Sequence, residues 1–264
     1  MPASKTNKTA PPPAPAKRRG SAALLGTVVP VAMAMLGNAP DGANLNIPKD
    51  PVHTKSPGPA CGQHCGTERW PVKTLSDHAA ASVNFSPLPS TVSALVNSGA
   101  PDESSDTERL DHFETQAFSI KAKLVGFKSE TGPKGDQDFH IVIQDLHTDE
   151  TMIVEIPDSK CDGVCNSVKR SEIEKARADF LAAFPTNAPT PTFVVLDDPK
   201  PVVTVTGVGL YDFSHGQTGL AKNCLELHPV LAIEFPEPGK FTAKHDPARQ
   251  PPKTDPSEHS CIPR

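Results

Sequence analysis

"TQAFSIKAKLVGF", Thr115 to Phe127, is the stretch on which the fold turns. Phe118, Ile120, Ala122 and Leu124 alternate with Ser119, Lys121 and Lys123. A period of two puts alternate side chains on opposite faces of a strand, so one face goes to a core. After the turn residues of "SETGPKGDQ", the pattern returns in "DFHIVIQD", with Phe139, Ile141 and Ile143 against Asp138, His140, Val142 and Gln144. "LHTDE" is of hairpin length. It leads into "TMIVEIP", which sets Met152, Val154 and Ile156 opposite Thr151, Ile153 and Glu155. Successive strands with short connections result.

Downstream the period changes. Ser171 and Glu174 have capping-box spacing, and Ile173, Ala176, Arg177, Phe180 and Phe184 recur at helical intervals until Pro185. "PVVTVTGVGLYDF" and "CLELHPVLAIEF" then read as two further strands, with Gly207 and Gly209 marking a bulge or a barrel corner. The order β-β-β-α-β-β is that of an OB-like five-stranded barrel. A β-sandwich with one helix is the competing architecture; closure is preferred because it leaves no apolar strand edge exposed. The domain occupies 111–236, behind a lead-in and linker over 41–110 and ahead of a Pro-rich tail over 237–264.

The first 40 residues read as an extension with an export signal. "AKRRG" supplies positive charge, "SAALLGTVVPVAMAMLG" an apolar run, and Ala32-Met33-Ala34 a small-x-small cleavage pattern. The run is short for a bilayer crossing and contains Pro30, so a retained anchor is the competing reading and a mature chain without a transmembrane span is expected. Six cysteines fit a periplasmic or extracellular destination: Cys61, Cys65, Cys161, Cys165, Cys224 and Cys261. Bridges within each C-x-x-x-C pair are the simplest expectation, with Cys224 to Cys261 tying the tail to the last strand. A zinc site made from the two pairs is the alternative. Thirty prolines, crowded at both ends, argue against a second core. The net charge of −5 and the absence of a basic block outside the leader give no nucleic-acid signature.

Chemistry concentrates in "YDFSHGQTGLAKNCLELHP", which brings Asp212, His215, Glu226 and His228 to one loop and its flanking strands. Alternation puts Glu226 and His228 on one face, with Leu225 and Leu227 on the other; Asp138 and His140 likewise share a face. Asp212, His215, Glu226, His228 and, more remotely, His140 are therefore the candidate ligand or metal site. Imidazole and carboxylate suit a divalent metal such as zinc, or general acid–base work. The plainer reading makes Asp212 a turn former and Glu226 a partner of Lys222 or His215. No nucleophile elbow, phosphate loop or dinucleotide fingerprint is present.

"CGTERWPVKTLSD", "DFHIVIQD", "TMIVEIPD", "CDGVC" and "GLYDFSHGQTGLAKNCLELHPVLAIEF" together resemble a family of uncharacterised exported bacterial proteins. Its pattern is E-R-W-x-V-K-T, D-x-H-x-V and H-G-x-x-G…E-L-H-P-V, matched here from about Cys61 to Phe235. The resemblance implies export and a single β-rich domain, and assigns no activity. The long Pro-rich front extension departs from it, and Cys224 sits at the turn-to-strand junction of its last motif. Two function classes follow from the residues. One is an exported OB-like binding or structural module whose ligand is not specified; few aromatic residues (Trp70, Tyr211, Phe213) are at hand for stacking a nucleic-acid strand. The alternative is a metal-assisted hydrolase such as a secreted nuclease or phosphodiesterase.

Overall fold

The computed structural model describes residues 62–131, 135–186, 188–214, 216–236, 241–251 and 261–262. The expected export segment, Cys61 and His215 lie outside them. The helices are α1 (Trp70–Lys73), α2 (Val92–Val96), α3 (Asp162–Cys165) and α4 (Arg170–Ala183). The strands are β1 (Asn84–Ser90), β2 (Gln116–Ser129), β3 (Phe139–Gln144), β4 (Thr151–Ile156), β5 (Val194–Leu196), β6 (Val202–Tyr211), β7 (Leu225–Glu234) and β8 (Ala243–Lys244).

Five of the strands close on themselves. β2 pairs antiparallel with β3 and β6, β3 with β4, and β6 with β7. β4 and β7 run parallel, Val154 beside Leu227, and this contact closes the ring. With α4 between the third and fourth barrel strands, the architecture is an OB-like barrel. The inward residues are those the alternation marks: Phe118, Ile120, Ala122 and Leu124 on β2, Phe139, Ile141 and Ile143 on β3, and Met152, Val154 and Ile156 on β4. Register slips between Leu124 and Gly126, so Phe127 also turns inward. A second slip occurs around Gly207 and Gly209. There a Cβ on Gly209 would stand 2.5 Å from the carbonyl oxygen of Phe113, so no side chain fits.

α4 plugs one end of the barrel. Ile173, Ala176, Phe180 and Ala183 are buried, and the Phe180 ring meets Phe127 edge-on at 5.0 Å and Phe139 at 4.9 Å. Burial of one such ring contributes roughly 1.5–3 kcal/mol. Arg177 lies over the Phe139 ring at 4.3 Å and donates to the Ile156 carbonyl. The expected capping box does not form. The N-cap is Lys169, without a side-chain cap; Ser171 bonds Glu172, and Glu174 is taken by Arg170 at i, i+4.

The lead-in is more ordered than its composition predicts. "WPVK" forms α1, and the Pro-rich "NFSPLPS" is β1, lying parallel to β2. Prolines are tolerated in such an added outer strand because it lacks a partner on one side. Leu75, Ala80 and Val83 pack on Ala117, Val208 and Leu231, giving the barrel wall a second apolar layer on its outside. Trp70, Tyr211 and Phe213 are all buried, so none offers a stacking surface.

Cys65 bridges Cys161 across 96 residues, which corrects the expectation of local C-x-x-x-C bridges. Cys65 and Cys161 are brought together because the lead-in folds back onto the segment after β4, where Asp162 N donates to the Gln63 carbonyl. Cys165 is unbridged among the described residues. Cys224 bridges Cys261, as expected. Among the described residues no helix is long and apolar enough to cross a membrane.

Candidate functional site

Strand parity places His140, Glu155, Glu226 and His228 on the outer wall of the barrel, opposite the side chains that fill it. An outer wall normally meets water. Here it is roofed by three segments: α1, residues 135–138 and residues 216–224. All four residues are buried, as are Asp138, Lys73 and Asp212. The roof is thin where Gly219 crosses β3: φ is +80°, and a Cβ there would stand 2.5 Å from Val142. Only glycine meets both conditions.

His228 is at the middle. Its Nε2 is 3.1 Å from Asp138 Oδ2, and its Nδ1 is 3.2 Å from Glu226 Oε1 and 3.3 Å from Glu155 Oε2. His140 Nε2 donates to the Thr218 carbonyl at 3.0 Å, pinning the loop, while Nδ1 faces Glu155 Oε1 at 2.9 Å. Lys73 reaches in from α1, with Nζ 3.2 Å from Asp136 and 3.3 Å from Asp212.

These charges set one another. Burial raises Glu226 to about 8, and the neighbouring Glu155 and Asp212 charges add to it. Burial likewise lifts Asp138 to about 7, against the pull of His228. Burial acts to raise Glu155 as well, but the hydrogen bond from His140 and the charge of His228 overcome it and hold the carboxyl below its usual range. Burial works against the charged forms of Lys73 and His228. The surrounding carboxylates prevail, holding Lys73 well above its ordinary value and His228 at about 10.

Of the residues singled out from sequence, Glu226, His228 and His140 meet in this centre, and Asp212 joins it through Lys73. His215 lies outside the described residues. Asp138 and Glu155, whose facing the alternation gives correctly, are members that the loop-centred reading leaves out. Lys73 and Asp136 were missed altogether. Their signal is in "ERWPVKT": Arg69 is the N-cap of a short apolar helix and Lys73 its last residue, so two cations flank an element that packs inward.

Two overlapping sets have metal-ligand spacing: Asp138, Glu155 and His228, all buried, and Glu130, His140 and Glu155. In each, one donor atom per residue lies within 4.8 Å of the others. A groove of about 390 Å³ opens next to the roof, lined by Val125, Gln144, Thr151, Lys200, Leu220 and Arg249 among others. The barrel and this roofed polar centre define an OB-like domain with a covered outer wall. No protein-family model, curated protein or solved structure matches the chain.

Proposed function

We propose that this protein is an exported, disulfide-tied binding module that does not turn over its ligand. One observation carries the reading: Asp138, His140 and His228 are wholly inaccessible and Glu226 is 1% exposed. Hydrolysis needs water and a scissile bond within hydrogen-bond reach of the acid–base groups. The roof keeps both away. An accessible feature of the same wall is the groove between β3–β4, the Leu220 segment and Arg249. OB-like barrels present that part of the wall to ligands, which makes it the natural contact surface. Its amide, hydroxyl, carboxylate and basic groups, with no aromatic ring in the lining, favour a polar chain such as a peptide or oligosaccharide over stacked bases. Two long-range disulfides support an oxidising destination, in keeping with export.

The test is a pair of measurements on the oxidised chain. Peptide and glycan arrays are probed with the wild type and with Thr151→Trp, which fills the groove. Phosphodiester hydrolysis is assayed with zinc and with manganese. Array hits lost in Thr151→Trp and no hydrolysis above buffer are expected. Turnover that disappears in His228→Ala would overturn the reading in favour of the hydrolase.

A further inference from the structure

Polar groups placed deep in a protein are paired almost without exception, because an unpaired one forfeits its hydration. In the centre around His228 the contact with Asp138 breaks that rule. Neither carboxylate oxygen of Asp138 receives a hydrogen bond, and His228 Nε2 makes none either. Asp138 Oδ2 and Nε2 approach to 3.1 Å but without hydrogen-bond alignment. The other face of the imidazole explains which atom is left over. Nδ1 is engaged by Glu226 Oε1 at 3.2 Å and Glu155 Oε2 at 3.3 Å, which leaves Nε2 as the nitrogen turned to the Asp138 carboxylate. An ion bound there would take the place of the ring proton that the surrounding carboxylates otherwise hold on His228. A buried carboxylate holding the far nitrogen of an imidazole is the arrangement that orients histidine as a metal ligand.

Charge leads to the same point. Asp136, Asp138, Glu155, Asp212 and Glu226 surround Lys73 and two imidazoles. Lys73 answers Asp136 and Asp212, and His140 answers Glu155. Asp138 is answered only by His228 Nε2 at 3.1 Å, on a ring whose other nitrogen already faces Glu226 and Glu155.

We propose that Asp138, Glu155 and His228 bind a divalent metal ion of the zinc or manganese class, with Glu226 and His140 orienting the ligands. Two carboxylates and one imidazole form a mixed oxygen–nitrogen set, which such borderline ions take; calcium and magnesium prefer oxygen alone. Two carboxylates also neutralise a dication, so the bound centre carries no added charge into the interior. The cover of α1 and residues 216–224 makes the ion structural, taken up as the chain folds and retained afterwards. This site is independent of the groove, and its failure would leave the binding-module reading untouched.

The experiment refolds the full chain oxidatively with zinc alone or manganese alone, removes loose metal on a chelating resin, and counts ions by mass spectrometry. Roughly one retained ion per chain is expected, as for structural metals. Asp138→Asn should hold about a tenth or less, and Glu226→Gln should weaken retention about 10–100-fold. Glu130→Gln, which removes only the neighbouring set's own carboxylate, should retain the full complement. A folded, disulfide-complete wild type without stoichiometric metal overturns the proposal, as does full retention in Asp138→Asn. Loss in Glu130→Gln also overturns the assignment, by moving the ion to the neighbouring set. Should Asp138→Asn fail to fold, cobalt-loaded wild type decides. Visible d–d bands without sulfur charge transfer agree with this ligand set; a thiolate band shows that Cys165 or another thiol holds the ion instead.

Discussion

Two buried ionic clusters lie under the same roof, and they are built differently. The first surrounds Arg69, whose five N–H groups all have acceptors. Nε donates to the Ser105 carbonyl at 2.7 Å, Nη1 to Glu114 and the Tyr211 carbonyl, and Nη2 to Glu114 at 2.9 Å and the Glu108 carbonyl at 2.7 Å. Glu114 in turn accepts from the backbone amides of Leu110 and Tyr211. Every charge and every donor is answered, so the cluster is a clip joining the lead-in, the 105–114 segment and the end of β6. The second cluster, around His228, leaves Asp138 with an ion-pair contact but no aligned hydrogen bond. A buried charge that is fully paired needs nothing else; the incompletely bonded one is where the proposed cation sits.

The sharpest way to break this comparison is to remove one residue from each cluster. Arg69→Met strands Glu114 in the interior and should cost about 3–5 kcal/mol. Asp138→Asn, measured in metal-free protein, takes one carboxylate from a centre that has too many and should cost no more than about 1 kcal/mol. Urea denaturation measures both. Equal losses would mean that the two clusters are the same kind of structure.

The disulfides sharpen it next. Each ties a roof segment, but across loops of 96 and 37 residues. Loop entropy scales with the logarithm of that separation, so Cys65→Ser/Cys161→Ser should cost about 1 kcal/mol more than Cys224→Ser/Cys261→Ser. Thermal unfolding of the two double variants reads the difference.

The smallest effect is at the roof's outer edge. Glu150 holds Lys222 of the loop and Asn97 beside α2. Hydrogen bonds, first from Ser93, then from Asn97 and Lys222, outweigh a modest burial penalty and lower its carboxyl to about 2. A depressed pKa contributes stability that is present above the unfolded value near 4.5 and lost as pH falls towards about 2. Glu150→Gln should therefore flatten the acid limb of the stability curve between those values. The change is well under about 1 kcal/mol for a pair this close to solvent. A variant whose acid limb matches that of the wild type would show that Glu150 does not hold the loop.

The barrel was legible because its inner face is governed by one rule. Alternation over Phe118–Leu124, Phe139–Ile143 and Met152–Ile156 reports burial directly, and the helix at the right place supplies the topology. The roof follows no periodic rule. Pro87 and Pro89 speak against a strand, yet β1 forms by lying along an edge. Arg69 and Lys73 read as surface charges until Glu114 and Asp212 are brought to them from 45 and 139 residues away. The site was half legible for the same reason. Glu226 and His228 share a face by local geometry, and His140 with Asp138 by the same geometry. Their meeting depends on which strands adjoin, and the β4–β7 contact is not encoded in either strand alone. The 61–65 and 161–165 cysteine pairs mislead similarly: proximity in sequence favoured local bridges, whereas the fold pairs Cys65 with Cys161.

The reach of Lys73 also sets an order of events. The helix that bears it lies early in the chain, yet the carboxylate it grips lies 139 residues later and the carbonyl held by Arg69 142 later. Contacts this distant form slowly, after the local hairpins that make up the barrel. The lead-in therefore closes over the wall last, after the strands that carry Glu155, Glu226 and His228 have paired. Until it does, the outer wall is bare and His228 faces water, so whatever the centre comes to hold must enter before the lid shuts.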